Sequence, residues 1–277
     1  MLIQFADNRI PVSIGPKRIY TKENIAPSTQ IIIITPTYKR YTRIADITRM
    51  SNTLRLIPNV YWILIEDGDE KSKLLNRLLE RSQIPYSYLV HKTAPGYPKR
   101  GWYQRDMALT FLRKNHELIT NGYTHSVVFF GDDDNSYDTR LFTDYISNVK
   151  DVGIWAVGHV GGAVFESPKV ENNKVIGWHV RWNPKRKFAT DMAGFAISLK
   201  RFIDYPEALF GKSCKRGGGA PEPCLLEDLG VTPEQLEPFG FNNPPGVSRE
   251  ILVYHTKTTK PKGFPKQDLY GYDIELM

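Results

Sequence analysis

Three consecutive aspartates, Asp132, Asp133 and Asp134, directly follow an apolar run, 127–130, that is typical of a buried strand. Carboxylates this close together repel one another, which raises the pKa of at least one of them unless a cation neutralises the charge. A hard divalent ion such as Mg²⁺ or Mn²⁺ takes oxygen ligands and leaves positions open for phosphate oxygens. The cluster therefore favours a metal site that binds a diphosphate.

The alternative interpretation of this cluster is an acidic turn that caps a helix beginning near Tyr137. Neither an EF-hand loop nor a glycine-rich phosphate loop is present, since 132–143 lacks the required central glycine and no GxxxxGK[ST] or GxGxxG segment occurs. Phosphate binding would then depend on the metal and on basic side chains. Arg100 and Arg105 are candidates because they flank the start of a predicted helix; otherwise they are solvated surface charges.

The elements that must position these residues alternate along the chain. Apolar runs predict strands at 31–34, 60–65, 86–90 and 127–130, and amphipathic patterns predict helices at 40–57, 71–83 and 103–115. Such alternation predicts an α/β fold with a Rossmann-like, parallel or mixed sheet and helices on both faces. Ligands of these sheets bind beyond the carboxyl ends of the strands. Tyr38, Asp67 and the aspartate cluster all follow predicted strand ends, so we expect them to converge.

The chain divides by composition into three parts. Residues 1–29 are polar and proline-containing and predict an irregular lead-in. Residues 30–150 form the proposed nucleotide-sugar-binding half, and 151–277 a turn-rich half with short strands such as 174–182, expected to bind the acceptor. We expect both halves to belong to one compact domain.

Bulk properties exclude several classes of protein. The 277 residues are 41% hydrophobic, which is enough for a sizeable core, and no run of eighteen apolar residues predicts a membrane span. The net charge of +7 comes from scattered basic residues, which weakens a nucleic-acid interpretation. The two cysteines, Cys214 and Cys224, fit either one disulfide or two free thiols.

Seven segments in order resemble the β-1,3-glucuronyltransferases: TPTYKR (35–40), LIEDGDE (64–70), KRGWYQRDMAL (99–109), FFGDDDNSYD (129–138), VGGAVFESP (160–168), DMAGFAISL (191–199) and VYHTKT (253–258). The resemblance spans about 31 to 262. It implies a GT-A-type fold, a Mn²⁺ cofactor and transfer of glucuronic acid from UDP-glucuronic acid to the 3-hydroxyl of a terminal galactose. It also implies inversion of the anomeric centre.

The same resemblance assigns roles to individual residues. On the donor side it implies that Tyr38 and Asp67 contact the uracil and that Arg100 and Arg105 bind the donor. Asp132 to Asp134 match a DxD-type motif whose last aspartate, Asp134, ligates the metal. His255 and Lys257 match positions near the diphosphate. Around the donor sugar and the acceptor it implies Glu166, Arg186 and Asp191, with Trp182 as an acceptor-side aromatic residue.

The general base of the family is a glutamate in a glycine-rich loop before a Leu-Leu pair. Inversion by single displacement needs one carboxylate that accepts the proton of the acceptor hydroxyl. Glu222 in GGGAPEPCLLEDL matches that place, and Glu227 is the weaker candidate. The alternative interpretation is that Glu222 is an exposed loop carboxylate between two prolines.

Two segments depart from the family pattern. The family's WHTRT is YHTKT here, so Lys257 stands where the family has an arginine. Lysine keeps the positive charge but lacks the bidentate guanidinium fork. The loop around Glu222 reads GAPEPC in place of a Glu-Ser-Ser run, which leaves the acceptor less constrained than the donor. The family's membrane anchor is absent from the sequence, so we expect either a trimmed lumenal part of a Golgi enzyme or an unanchored form. By analogy the family also predicts a homodimer.

The expected function is thus glucuronosyl transfer with UDP-glucuronic acid as donor and a galactose-terminated glycan of a proteoglycan or glycoprotein as acceptor. A transferase for another UDP-sugar, such as UDP-xylose, is one alternative. A non-catalytic nucleotide-sugar or glycan-binding protein is a second. A metal-dependent phosphohydrolase ranks third, because it leaves Tyr38, Asp67 and His255 unexplained.

Overall fold

A computed structural model describes residues 13–15, 29–242 and 248–256. The strands are β1 (Ser13–Ile14), β2 (Thr29–Tyr38), β3 (Val60–Asp67), β4 (Tyr86–Val90), β5 (His125–Phe130), β6 (Asn135–Tyr137), β7 (Val152–Ile154), β8 (Val157–Gly158), β9 (Phe165–Glu171), β10 (Lys174–His179), β11 (Phe195–Ser198), β12 (Leu236–Pro238) and β13 (Val253–His255). The helices are α1 (Arg43–Leu54), α2 (Lys73–Ser82), α3 (Trp102–Thr120), α4 (Leu199–Asp204) and α5 (Glu222–Asp228).

The larger sheet has the strand order β1-β4-β3-β2-β5-β11-β7-β12. β2 lies parallel to β3 and β5, and β3 is parallel to β4, whereas β11 runs antiparallel to both β5 and β7. Strands from both sides of residue 150 therefore share one sheet. The four consecutive isoleucines of β2, 31–34, are fully buried because apolar side chains cover both faces of this central strand.

The smaller sheet, of order β10-β9-β8-β13-β6, forms beside the aspartate cluster. β6 starts one residue after Asp134 and pairs antiparallel with β13, which places His255 opposite Asn135. The alternative of an acidic turn capping a helix near Tyr137 is therefore wrong. Tyr137 ends a strand, and the next helical turn is a π-helix that begins at Leu141.

Most predicted elements exist with shifted ends. The helix predicted at 40–57 is the shorter α1, whereas the helix predicted at 103–115 extends to Thr120 because Asn115 and Ile119 continue its buried face. The strand predicted at 174–182 ends at His179. In the described part of the chain, no helix combines the length and apolar character that crossing a bilayer requires.

A buried ion pair fixes α1 to the strand that carries Asp67. Arg43, which is fully buried, contacts the Glu66 carboxylate, and the hydroxyl of Tyr88 donates a hydrogen bond to the same carboxylate. The backbone N–H of Ser72 lies 2.9 Å from the Tyr88 hydroxyl, so α2 joins the network. Burial and the Glu66 charge raise the pKa of Tyr88, which keeps its hydroxyl as a donor.

Substitution of Arg43→Met should destabilise the fold by about 3–5 kcal/mol, because it leaves the Glu66 carboxylate buried without its cation. The free energy of unfolding from urea titration measures this loss. Arg49→Met in the same helix is the matched control, since Arg49 is partly exposed and its pair with Asp46 should contribute at most about 1 kcal/mol. Equal losses in the two variants would contradict the prediction.

Candidate active site

The carboxyl ends of β2 and β3 bring Tyr38 and Asp67 together. The two residues are register partners in the parallel pair and each is the last residue of its strand. The Asp67 carboxylate accepts hydrogen bonds from the Thr93 N–H at 2.8 Å and the Thr93 hydroxyl at 2.6 Å, which fixes its orientation. Tyr38 is 57% exposed, and the Arg40 guanidinium lies 4.9 Å from the centre of its ring. An accessible aromatic ring and a fixed carboxylate thus share one edge of the sheet.

Two of the three clustered aspartates already have cationic partners. Asp133 accepts hydrogen bonds from the Thr37 hydroxyl at 2.6 Å and from Arg40 at 2.9 Å. Asp132 forms an ion pair with Arg105. Within the described residues, the Asp134 carboxylate has no such partner; its backbone carbonyl accepts a hydrogen bond from the Thr256 hydroxyl at 2.6 Å. Asp134 is therefore the carboxylate available to a ligand.

Electrostatics favour a cation at Asp134. Surrounding protein atoms displace water from the carboxyl group, although the residue as a whole is exposed, and this raises its pKa to about 6 together with the charges of Asp132 and Asp133. Burial also raises the pKa of Asp133, against the opposing effect of Arg40. A carboxyl group whose ionised form is disfavoured in this way gains from a bound cation.

The donor set fits a metal that completes its shell with substrate. No group of three His, Cys, Asp or Glu side chains in the described ranges is arranged to hold a metal by itself. One unpaired carboxylate plus substrate phosphates is, however, a common way to bind a hard divalent ion. Asp134 is the residue that fits this role, because Asp132 and Asp133 are engaged by arginines.

His255 links the aspartate cluster to a second group of charges. Its Nε2 lies 2.9 Å from the Asp191 carboxylate, which also accepts the N–H of Ala193 at 2.9 Å. Burial alone would lower the pKa of His255, but the hydrogen bond and charge of Asp191, with the charges of Asp132 and Asp134, raise it to about 9. His255 is thus a cation at neutral pH beside the metal candidate.

The second group of charges surrounds Glu222, the first residue of α5. Glu222 is only 8% exposed, and its Oε2 has no hydrogen-bond partner among the described residues. Burial and the negative charge of Asp191 raise the pKa of this carboxyl to about 8, against the opposing charges of Arg186 and Arg105. The interpretation of Glu222 as an exposed loop carboxylate is therefore wrong. A buried carboxyl with a pKa near neutrality is suited to proton transfer.

Glu166, Arg186 and Trp182 border the same region. The Arg186 guanidinium stacks 4.6 Å from the Trp182 ring and donates hydrogen bonds to the carbonyls of Trp182 and Asn183, both at 3.3 Å. Burial lowers the pKa of Arg186, while Glu222, Glu166 and Asp191 raise it. In the part of the chain that the structure describes, the Oε1 of buried Glu166 has no hydrogen-bond partner, and burial raises the pKa of this carboxyl. Trp182 is 44% exposed and offers an apolar face beside these charges.

The two candidate arginines point to different places. Gly101, with φ of +73°, caps α3 against Pro36, and this close approach brings Arg105 to Asp132. Arg100 is exposed and lines an open cavity of about 520 Å³ with Trp102, Lys212 and Lys215. Its carbonyl accepts a hydrogen bond from Arg105 at 3.1 Å. Lys257 lies outside the described residues. Glu227, the weaker base candidate, is ion-paired with Arg216 at 3.1 Å.

Sequence reasoning missed three residues that shape the site. Arg40 and Thr37 hold Asp133, and Thr93 orients Asp67. Arg40 stands two residues after the end of β2, so the rule that ligands bind at strand ends could have found it. Thr93 follows β4 in a proline- and glycine-containing loop, where no pattern distinguishes it.

The α/β sheet, with a carboxylate cluster and an aromatic ring at its strand ends, has the GT-A-type architecture expected from the sequence. In agreement, the sequence profile of Glycosyltransferase family 43 matches residues 50–259. The chain therefore belongs to glycosyltransferase family 43.

Relatives with named activities agree with this assignment, and a solved structure agrees with the fold. Galactosylgalactosylxylosylprotein 3-beta-glucuronosyltransferase 2 of Canis lupus familiaris is 38% identical over 95% of this chain and 82% of its own length. Galactosylgalactosylxylosylprotein 3-beta-glucuronosyltransferase 3 of Homo sapiens is 38% identical over 84% of this chain and 71% of its own length. The crystal structure of S. aureus TarS superposes with a TM-score of 0.51 at 14% identity, over 82% of this chain and 37% of TarS. At that identity TarS supports the fold alone.

Proposed function

We propose that this protein is an inverting, Mn²⁺-dependent glucuronosyltransferase that transfers glucuronic acid from UDP-glucuronic acid to the 3-hydroxyl of a terminal galactose. The observation that carries the proposal is the buried Glu222 carboxyl, set beside Asp191 and Arg186 in a chain of family 43. The identity to named 3-beta-glucuronosyltransferases supports the type of sugar and of linkage.

The donor would lie along the carboxyl edge of the larger sheet. Tyr38 presents an accessible ring for the uracil, and the fixed carboxylate of Asp67 would accept a uracil N–H. Asp134 would hold Mn²⁺, which supplies charge stabilisation to the departing diphosphate when bound. The cationic His255, with Arg100, Arg105 and Lys257, would bind the phosphates; Arg105 would have to share its contact with Asp132.

The transferred sugar would lie between the two groups of charges. The Arg186 guanidinium has the planar fork that binds carboxylates, and it would bind the carboxylate of glucuronic acid. Glu166 and Asp191 would accept hydrogen bonds from sugar hydroxyls, and Trp182 would stack on the acceptor galactose.

Glu222 would act as the general base in a single displacement. As the galactose 3-oxygen forms its bond to the anomeric carbon, the hydroxyl proton moves to the Glu222 carboxylate. The bond from the anomeric carbon to the donor phosphate oxygen breaks on the opposite face, and its electron pair leaves with UDP. Attack opposite to the leaving group inverts the anomeric centre.

Location and assembly are part of the same proposal. We place the enzyme in the Golgi lumen, because its relatives are named as glucuronosyltransferases of galactosylgalactosylxylosylprotein and because the Cys214–Cys224 disulfide is stable in oxidising compartments. By family analogy it acts as a homodimer, with a proteoglycan linker or glycoprotein glycan as acceptor.

The decisive test is transfer to a galactose-terminated disaccharide with UDP-glucuronic acid, UDP-xylose and UDP-glucose as donors, each with Mn²⁺ or with a chelator. Mn²⁺-dependent transfer of glucuronic acid alone supports the proposal. A preference for UDP-xylose would show that the donor is UDP-xylose and not UDP-glucuronic acid. Binding of UDP and Mn²⁺ without any transfer would favour a binding protein instead.

Removing the charge of Arg186 should reduce the preference for UDP-glucuronic acid. Hydrogen bonds to charged groups contribute about 1.5–3 kcal/mol, so Arg186→Leu should lower the ratio of kcat/KM for UDP-glucuronic acid over UDP-glucose by about 10- to 100-fold. The ratio separates donor recognition from indirect effects on Glu222, which change both donors alike. Lys185→Leu, at the exposed neighbouring position, is the control. An unchanged ratio in Arg186→Leu would exclude Arg186 as the carboxylate partner.

A further inference from the structure

The loop that carries Glu222 is closed by a covalent bond. We call residues 214–224 the base loop; it begins at Cys214 and ends at Cys224, and the two cysteines form a disulfide. Both are buried, at 3% and 6% exposure, and they are the two cysteines of the sequence. Cys224 lies in the first turn of α5, two residues after Glu222. The bond thus ends next to the proposed base.

The interior of the base loop is folded around the Cys214 sulfur. The N–H of Gly217 donates to Cys214 Sγ at 3.1 Å, and the N–H of Gly219 donates to the Cys214 carbonyl at 3.1 Å. A Cβ atom at Gly217 would lie 2.8 Å from that sulfur. Gly218, with φ of +60°, leaves no room for a side chain against Asn183, next to Trp182. The loop conformation and the disulfide therefore depend on each other.

The side-chain polar contacts that hold the start of α5 are few, whereas Leu225 and Leu226 anchor the following turn in the core. Pro221 precedes the helix and provides no capping side chain. Arg216 joins the loop to the far end of α5 through ion pairs with Glu227 and Asp228, but Arg216 is exposed and such pairs contribute little. Before the loop, the buried Asp106 carboxylate accepts the N–H of Phe210 at 2.6 Å and so fixes the chain only up to that point.

A buried carboxyl group without a partner needs a rigid support. The Oε2 of Glu222 has no hydrogen-bond partner within the described ranges, so moving this oxygen into water would relieve an unfavourable burial. Three consecutive glycines, 217–219, give the loop the freedom to make that movement once its ends are separated. In the folded chain the disulfide opposes it by keeping Cys224 against Cys214.

We propose that the Cys214–Cys224 disulfide is a positioning element of catalysis, which holds Glu222 at the acceptor site, and that the dithiol form binds the donor but transfers slowly. This inference rests on the proposed function. A phosphine reduces the disulfide with two electrons and becomes a phosphine oxide by taking an oxygen atom from water. The two protons of that water convert the two sulfur atoms into thiols. Any effect of the reductant is assigned to this bond, because the sequence has no other cysteines.

The test compares kinetics of the oxidised protein with protein in which thiol titration counts two thiols per chain. We expect kcat to fall about 10- to 100-fold on reduction, since displacement of a catalytic group by about 1 Å can cost this much. The affinity for UDP with Mn²⁺ should change less than about twofold, because the proposed uracil and metal residues, Tyr38, Asp67 and Asp134, lie at or after the ends of β2, β3 and β5 and outside the base loop. The acid limb of the kcat/KM profile should move to lower pH as Glu222 reaches water, and reoxidation should restore both parameters.

The variant Cys214→Ser/Cys224→Ser should reproduce the reduced protein, and the reductant should not change it. If circular dichroism shows that this variant does not fold, the kinetics of the wild-type protein reduced after folding test the inference. If the disulfide resists reduction, the kinetics of the variant test it. An unchanged kcat and pH profile without the disulfide overturns the inference, and so does a parallel loss of UDP binding, which would indicate general unfolding. If the oxidised wild type transfers nothing, the proposed function fails, and the inference fails with it.

Discussion

Glu222→Gln is expected to lower kcat by about 10²- to 10⁴-fold, the usual contribution of a general base. Glutamine keeps the shape of the side chain but cannot accept the hydroxyl proton. The affinity for UDP with Mn²⁺ should be unchanged, because the proposed uracil and metal residues, Tyr38, Asp67 and Asp134, lie at the ends of β2, β3 and β5. Product formation under saturating donor and acceptor measures the effect.

The pH profile adds a second expectation for the same residue. Catalysis requires the ionised carboxylate, and the pKa of Glu222 is about 8 in the free protein. The value of kcat/KM should therefore rise with pH, about tenfold per unit below the pKa, and level off above it. Glu227→Gln, in the same helix but ion-paired with Arg216, is the matched control and should keep both rate and profile. A rate that is insensitive to Glu222 and sensitive to Glu227 would reverse the assignment.

Protein stability distinguishes this chemical effect from misfolding. The pKa of Glu222 rises from an ordinary 4.5 to about 8 on folding, so the folded chain binds the proton more tightly than the unfolded chain. The free energy of unfolding should then fall as pH rises from about 4.5 to about 8. Glu222→Gln lacks this ionisation and should lose less stability than wild type over that range. Inactive protein that is also more stable at alkaline pH excludes unfolding as the cause.

Asp134→Asn should abolish the dependence of the reaction on Mn²⁺. An amide oxygen is a poorer ligand than a carboxylate, and a catalytic metal contributes several kcal/mol to the stabilisation of the leaving group, so kcat/KM should fall about 10²-fold or more. In calorimetry, the affinity of the variant for UDP should be the same with Mn²⁺ as with a chelator, whereas wild type should bind more tightly with the metal.

Asp138→Asn is the control for Asp134, because Asp138 follows in the same stretch but forms an exposed ion pair with Arg140. It should retain the response to Mn²⁺. If Asp134→Asn responds to the metal as wild type does, the metal binds elsewhere, and Asp132 and Asp133 become the residues to replace. Either would first have to be released from its arginine.

The sequence predicted the parts of the molecule that depend on local pattern. The isoleucine run of β2 and the position of Asp132 to Asp134 after β5 were readable because burial on both faces leaves a continuous apolar signal. The length of α3 was not, since in its last turn only Ile119 is buried and the neighbouring residues give a weak apolar signal.

The state of the Glu222 carboxyl could not be predicted from the sequence at all. Flanking prolines and glycines are typical of an exposed loop, whereas burial in the folded chain and the charge of Asp191, which is distant in the sequence, raise the pKa of Glu222. The disulfide was left open for the same reason, because its formation depends on how the loop folds. The resemblance to a family pointed to Glu222 as the proposed base, whereas the physical reason for its raised pKa lies in the tertiary structure.

The pairing of β13 with β6 has a consequence for biosynthesis. β2, β3 and the aspartate cluster after β5 hold the uracil and metal candidates and are complete once residues 29–134 have emerged from the ribosome, whereas His255 arrives on a strand more than a hundred residues later. A nascent chain could therefore bind the nucleotide before it has the histidine that contacts Asp191. Capture of the donor would precede competence for transfer, so the nucleotide itself could act as a folding ligand while the rest of the chain is still being made.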